Sequence, residues 1–144
     1  MTVMPDVDIH PELRRAARFI PRRRSVYRTT LPLLRRFAVP PSSNRDVEIL
    51  TLPSGPGVRL YRPTDRPDPV PALVWVHGGG YVIGTAAQDD DLCRRYVRHL
   101  GIAVASVDYR RAPGHPYPTP LEDCYRVLGW LAKLPWVDPE RIVI

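Results

Sequence analysis

An apolar stretch that runs directly into a histidine and three glycines places the strongest constraint on the fold of this chain. Residues 73–76 read Leu-Val-Trp-Val, and His77 and the glycines of 78–80 follow at once. An unbroken apolar run predicts a strand that is buried on both faces, as in a parallel sheet. Three consecutive glycines cannot extend it, because they lack Cβ atoms and adopt conformations that other residues avoid. The sequence therefore predicts a bare loop at the carboxyl end of a buried strand, where open α/β sheets bind their ligands.

The charge of the chain is concentrated near its amino terminus. Residues 13–45 contain ten arginines and no acidic residue, although the whole chain has a net charge of only +6. We interpret this segment as a solvated face of short helices with, at most, weak contact to anionic surfaces. It lacks the interleaved aromatic residues that single-stranded nucleic acid requires, so no nucleic-acid partner is expected.

Composition shifts divide the chain into two parts. Residues 1–45 are predicted to be a helical, arginine-rich cap segment that ends in a Pro- and Ser-rich linker, and residues 46–144 an α/β core domain. No apolar run is long enough to span a membrane. Cys93 and Cys124 lack the spacing of metal ligands, and we predict reduced core thiols in a cytoplasmic protein.

The core domain alternates between strand and helix signals, which predicts parallel strands joined by crossover helices. Trp75 and Trp130 are interpreted as core residues, and Asp108 is expected to pair with Arg110 or with nearby backbone. One or two cis prolines are expected, at Pro113 or Pro118. The predicted strands are 47–52 and 58–61, which form a hairpin, then 72–76, 102–107 and 141–144, with a proline-rich excursion at 108–119 and a turn at 135–140. The first predicted helix ends at Gly101, and its apolar face consists of Leu92, Tyr96, Val97 and Leu100. The second begins with a capping box at Thr119 to Glu122, and its apolar face consists of Leu121, Cys124, Val127, Leu128 and Leu131.

A glycine loop after a strand serves two chemistries, and binding of a dinucleotide phosphate is the first. Gly78, Gly80 and Gly84 could form its turn, and Asp108 could hold a ribose. That fingerprint requires a helix to open at the glycines, whereas the predicted helix begins later and carries three aspartates in its first turn. A P-loop is excluded, because no Gly-Lys-Ser/Thr follows. Dinucleotide binding therefore stays a remote alternative.

Stabilisation of an oxyanion in acyl transfer fits the loop better. An oxyanion hole needs at least two backbone N–H groups held about 3 Å from one point, and side chains there would crowd the ester carbonyl. A His-Gly-Gly-Gly motif after the third strand plays this role in lipases and esterases. By our count, the strand before His77 is the third of the chain.

Several further motifs follow the glycine loop in an order that is similar to one known family. The chain resembles the amino-terminal half of the hormone-sensitive-lipase-like α/β-hydrolases, over about half of its length. The motifs that carry this resemblance are His77–Tyr81, Asp108–Pro113, His115–Pro118, Glu122–Asp123 and Asp138–Val143.

The resemblance implies an α/β fold with a mostly parallel five-stranded sheet, of order 1-2-4-3-5, and an antiparallel hairpin at one edge. The helical segment before it would be the family's variable cap. The last strand would be left at the other edge of the sheet, which makes self-association possible.

The resemblance also implies a carboxylic ester hydrolase that acts on small-molecule esters, without metal or cofactor. Gly79 and Gly80 would form the oxyanion hole, with His77 and Gly78 completing the loop motif. The nucleophilic serine, the acid and the histidine of the triad would lie beyond Ile144, so the 144-residue chain itself is predicted to be inactive. The alternative is a non-catalytic small-molecule receptor on the same fold.

Overall fold

The computed structural model describes Glu12 and residues 46–53, 55–64 and 67–144. All of these except Glu12 belong to one compact unit. The predicted helical cap segment at 1–45 falls outside the described residues, apart from Glu12. The structure therefore bears on the predicted core domain.

Within residues 46–144, as far as they are described, five strands form one mixed sheet in the order β1-β2-β4-β3-β5. The first two strands form the predicted antiparallel hairpin, and β3 is parallel to both β4 and β5. Strand β2 is antiparallel to β4 as well, so the sheet has as many antiparallel as parallel pairings. The strands are β1 (Glu48–Thr51), β2 (Gly57–Tyr61), β3 (Val70–Val76), β4 (Ala103–Asp108) and β5 (Val137–Val143).

In the described part of the chain, two helices cover opposite faces of the sheet. Helix α1 (Asp90–Leu100) follows a 3-10 turn at Ala86–Asp89 and ends where Gly101 adopts the left-handed conformation that glycine tolerates. It packs on one side of the sheet through Cys93, whereas helix α2 (Thr119–Leu131) packs on the other. The larger core cluster lies between the sheet and α2.

The connections create a crevice at the carboxyl ends of two central strands. Strand β3 leads into α1 and the adjacent β4 leads into α2, so the two connections leave the sheet toward opposite faces. A point where neighbouring connections diverge in this way is where α/β sheets bind ligands. The glycine loop after Val76 and the proline-rich excursion after Asp108 meet at this point.

Helix α2 departs from its predicted start and apolar face. Pro118 is its N-cap and Thr119 is already helical, so the predicted capping box is absent; the Glu122 amide donates instead to the Pro118 carbonyl, at 3.0 Å. The helix is also rotated, because it buries the carboxylate of Asp123 and leaves Leu121 42% exposed. A buried charge that finds partners on a neighbouring segment cannot be recognised from hydrophobic periodicity.

Strand β5 begins earlier than predicted. It extends from Val137, through residues that were expected to form a turn. A register shift between the pairings of Val70 and Ala72 with β5 absorbs the extra residues. Part of the turn persists inside this irregularity, because Asp138 accepts a hydrogen bond from the Glu140 amide at 3.0 Å. A proline that cannot donate is tolerated in a strand at such a bulge.

Several other predictions can be compared directly with the structure. Cis peptide bonds precede both Pro113 and Pro118, as expected, and a further one precedes Pro69. Trp75 and Trp130 both pack against core clusters, half-buried. Cys93 and Cys124 are both free thiols.

One apolar surface is left open beside strand β5. Among the described residues, β3 is the single strand that pairs with β5, and Val143 and Ile144 are 64% and 72% exposed. A groove of about 330 Å³ adjoins this edge. Its lining is almost entirely apolar: Val74, Val76, Tyr81, Leu121, Cys124, Tyr125, Leu128 and Ile144. Unpaired backbone next to exposed apolar side chains is a template for pairing with further polypeptide.

We therefore expect the 144-residue chain on its own to associate in a concentration-dependent way. Burying one exposed Val or Ile side chain contributes about 1.5–3 kcal/mol, which is a large fraction of the stability of a small domain. Sedimentation velocity over a concentration series is the measurement. Val143→Lys should weaken the association, because a charge on an edge strand opposes pairing.

A matched control is available on helix α1. Leu100, which was predicted on the apolar face of that helix, is 57% exposed there and lies outside the sheet edge. Leu100→Lys should leave association unchanged. A wild-type chain that stays monomeric at all concentrations, with a cooperative melt, would contradict the expectation.

Candidate active site

Two positions in the loop that follows β3 have a backbone conformation that only glycine can adopt. Gly79 has φ +130°, and a Cβ built there would lie 2.0 Å from the carbonyl oxygen of Ile83. Gly84 has φ +93°, and its Cβ would lie 2.6 Å from the Gly78 carbonyl oxygen. The close approach arises because the Val82 and Ile83 amides both donate to the Gly79 carbonyl, at 3.1 Å. The loop is therefore a tight turn whose shape depends on the missing side chains.

The last two of the three consecutive glycines have backbone N–H groups that are not engaged in hydrogen bonds. In the part of the chain that the structure describes, neither the Gly79 amide nor the Gly80 amide donates a hydrogen bond. Gly80 has φ +60° and open space around the position that a Cβ would occupy. Two adjacent unpaired N–H groups beside open space can bind one oxygen atom that carries negative charge.

His77 is buried beneath the loop and is held in one tautomer. Only 3% of it is exposed, and its ring stacks on Tyr109, with centroids 4.2 Å apart. Its Nδ1 lies 2.8 Å from the Gly78 carbonyl oxygen, which can only accept, so Nδ1 carries the proton. Its Nε2 is buried and has no hydrogen-bond partner among the described residues. The side chain therefore supports the loop from its buried side.

Tyr109 holds the loop through its hydroxyl, although the sequence motifs predicted no site role for this residue. Its hydroxyl donates to the His77 carbonyl oxygen at 2.8 Å and lies 3.2 Å from His77 Nδ1. Burial raises the pKa of Tyr109 to about 12, so the hydroxyl keeps its proton at neutral pH. The available signal was the position of Tyr109, immediately after the strand that pairs with β3.

The structure shows which of the two alternative partners expected for Asp108 is present. Asp108 accepts a hydrogen bond from nearby backbone, the Ala86 amide, at 3.4 Å, and thereby joins β4 to the start of the 3-10 turn. Arg110 pairs instead with Asp123 on α2, at 2.7 Å. The carboxylate of Asp123 is fully buried, and both Arg110 and Arg126 form ion pairs with it. The described residues contain no cluster of three or more His, Cys, Asp or Glu side chains placed to hold a metal ion.

Comparison with known proteins assigns this geometry to a family. A family model for the alpha/beta hydrolase fold matches residues 73–144, which is half of the chain and includes the whole glycine loop. The chain belongs to the α/β-hydrolase family.

Individual relatives extend this finding. Esterase LipI of Mycobacterium tuberculosis is 42% identical over 84 residues, a match that covers 56% of this chain and 26% of LipI. Gibberellin receptor GID1B of Arabidopsis thaliana is 37% identical over 83 residues, covering 56% of this chain and 23% of the receptor. A solved structure of an esterase from Pyrobaculum calidifontis superposes with a TM-score of 0.64 at 34% identity, over 94% of this chain and 47% of that one. The α/β-hydrolase chain described here thus spans about half of that solved relative and about a quarter of the two curated ones.

Burial shifts the pKa of His77, and this shift can be measured. Desolvation lowers the pKa of its imidazole below the usual 6.5, because the charged form has no water around it. We expect neutral His77 at pH 7, with the proton on Nδ1. When the pH falls below about 6.5, the unfolded chain takes up a proton that folded His77 resists, so acidification removes stability.

Long-range ¹H–¹⁵N correlation spectra of the imidazole nitrogens measure both the tautomer and the midpoint. A His99→Asn variant on the exposed side of α1 is the control and should leave the His77 resonances unchanged. A proton on Nε2, or a midpoint above 6.5, would show that the described arrangement is wrong.

Proposed function

We propose that this chain supplies the oxyanion-binding half of a carboxylic ester hydrolase. The observation that carries the proposal is the pair of unused amides at Gly79 and Gly80, on a braced loop at the carboxyl end of β3. When a nucleophile attacks an ester, the carbonyl oxygen becomes an oxyanion, and donors already aimed at it lower the barrier. His77 and Gly78 act as the frame of these donors and take no proton in the reaction.

The nucleophile must come from polypeptide other than these 144 residues. No Gly-x-Ser-x-Gly sequence occurs among them, and Ser106 lies buried in the middle of β4, where an ester cannot reach it. We propose a Ser-His-Asp triad carried by the remainder of a complete hydrolase domain. The substrates are small esters, by analogy with the esterases to which the chain is similar, and the protein works in the cytoplasm.

A chimera tests this proposal. Residues 1–144 are joined to the portion of LipI that follows its matched stretch, and hydrolysis of p-nitrophenyl esters is measured. The chimera should turn over, whereas the 144-residue chain alone should release no burst of p-nitrophenol. A folded chimera without turnover, or esterase activity of the chain alone, would refute it.

A non-catalytic receptor is the second candidate, because gibberellin receptor GID1B is among the relatives. A receptor would use the same loop to hold an acidic or carbonyl group without cleaving it. A chimera that binds small esters or carboxylic acids by calorimetry, but does not hydrolyse them, would favour this function.

For the described residues, the structure contains no helix that is long and apolar enough to cross a bilayer.

A further inference from the structure

We infer that Asp123, on helix α2, is a positioning residue for the glycine loop and acts through the segment 109–112. The inference deepens the proposed function and rests on it for its catalytic meaning. The contacts that carry it can be followed in two steps, from α2 to the segment and from the segment to the loop.

The first step joins α2 to Arg110. One carboxylate oxygen of Asp123 accepts from both the backbone amide and the Nε of Arg110, each at 3.0 Å, and the other accepts from its terminal nitrogen at 2.7 Å. Burial alone would raise the pKa of the Asp123 carboxyl, but the hydrogen bonds from Arg110 hold it below its usual value. Asp123 is therefore a fixed negative charge at neutral pH. Because the backbone amide is one of the donors, the main chain at Arg110 is held as well as the side chain.

The second step joins the neighbours of Arg110 to both ends of the glycine loop. Tyr109 donates its hydroxyl to the His77 carbonyl oxygen at 2.8 Å, just before the three glycines. Ala112 donates its amide to the Tyr81 carbonyl oxygen at 2.9 Å, just after them. Since peptide units are planar, a fixed carbonyl also fixes the orientation of the amide that follows it. The glycines thus lie between two peptide units, those of the His77 and Tyr81 carbonyls, whose orientations are fixed by hydrogen bonds.

The anchors matter because the loop has little stiffness of its own. Glycine populates positive and negative φ about equally, so three in a row have no preferred conformation. Donors contribute to catalysis only if they are already aimed when charge develops. In this arrangement the order of the loop is set by a carboxylate more than forty positions along the chain.

Backbone NMR of the ¹⁵N-labelled 144-residue chain tests the inference without turnover. Asp123→Asn should move the amide resonances of Gly78, Gly79 and Gly80. It should also speed hydrogen exchange at the Ala112 amide by about 10- to 100-fold, the range expected when hydrogen bonds to a charged group are lost. The matched control is Asp138→Asn, which removes a carboxylate paired with Arg141 at 2.6 Å on strand β5 and should leave these resonances in place.

Two further variants keep the test decisive if Asp123→Asn does not fold. Tyr109→Phe retains the ring that stacks on His77 but removes the hydroxyl, and it should move the Gly78 amide while the Arg110 amide stays. Arg126→Gln removes the second arginine on Asp123, 3.0 Å away, and should leave the loop unchanged.

Glycine resonances that stay at their wild-type positions in a folded Asp123→Asn or Tyr109→Phe chain would overturn the inference. Because none of these measurements depends on ester hydrolysis, their failure is distinguishable from an inactive chimera.

Discussion

Replacing Gly79 by alanine is expected to destroy the glycine loop. The new Cβ would lie 2.0 Å from the backbone carbonyl oxygen of Ile83, far inside van der Waals contact, and φ +130° is closed to residues with a Cβ. Backbone strain and overpacking each cost about 1–3 kcal/mol, so the combined loss is about 2–6 kcal/mol unless the loop rebuilds. Chemical denaturation of the 144-residue chain measures the stability lost.

The same substitution has a second expected result in the chimera with LipI. Alanine keeps its backbone N–H, but the distorted loop no longer aims that donor at the oxyanion. Loss of one oxyanion donor typically lowers kcat by about 10²- to 10³-fold. The control is Gly129→Ala on α2, where a Cβ meets nothing within 4 Å. Since alanine is the better helix former by about 0.5–1 kcal/mol, this control should be slightly stabilising and should leave turnover unchanged. A Gly79→Ala chimera with wild-type kcat would show that this loop does not bind the oxyanion.

Replacing Asp90 by asparagine should cost the domain about 3–5 kcal/mol, because it removes a buried carboxylate that compensates the charge of a buried guanidinium. Two nitrogens of Arg59 donate to the two carboxylate oxygens of Asp90, each at 2.7 Å, and both residues are buried. The Tyr61 hydroxyl also donates to this carboxylate. The network joins strand β2 to the first turn of α1, so its loss should loosen that face of the sheet.

Two comparisons isolate this charge effect in denaturation curves. Asp68→Asn breaks the pair with Arg62, whose side chains are both about half exposed, and should cost less than about 1 kcal/mol. The double variant Arg59→Met with Asp90→Leu removes both buried charges and should recover most of the loss, since apolar pairs often replace buried ion pairs without penalty. Equal effects of Asp90→Asn and Asp68→Asn would contradict the expectation.

The strands, the helix limit at Gly101 and the existence of the glycine loop could be predicted because their signals are local. An apolar run specifies a buried strand, and glycine at a helix end permits the left-handed turn that stops it. The strand order came from the resemblance to a family, and the structure confirms it. No property of the apolar runs alone would have placed β4 between β2 and β3.

The wrong prediction of the buried face of α2 arises because a periodic pattern does not identify the partners of a polar side chain. Periodicity predicts Leu121 on the buried face of α2 and omits Asp123, because it counts apolar residues only. Arg110 was one of two alternative partners expected for Asp108, and it instead reaches a carboxylate thirteen positions away. Pairings of this kind depend on how elements are oriented after they pack.

The sequence alone therefore determined that a bare, glycine-built loop follows a buried strand, since the residues that make such a loop are contiguous. Only the tertiary structure decided how that loop is held. The ring of His77 is held by stacking on Tyr109, and the loop's anchors depend on a segment clamped by Asp123. These contacts join residues thirteen to thirty-two positions apart, and they form only when the parallel strands β3 and β4 bring their carboxyl ends to one edge of the sheet.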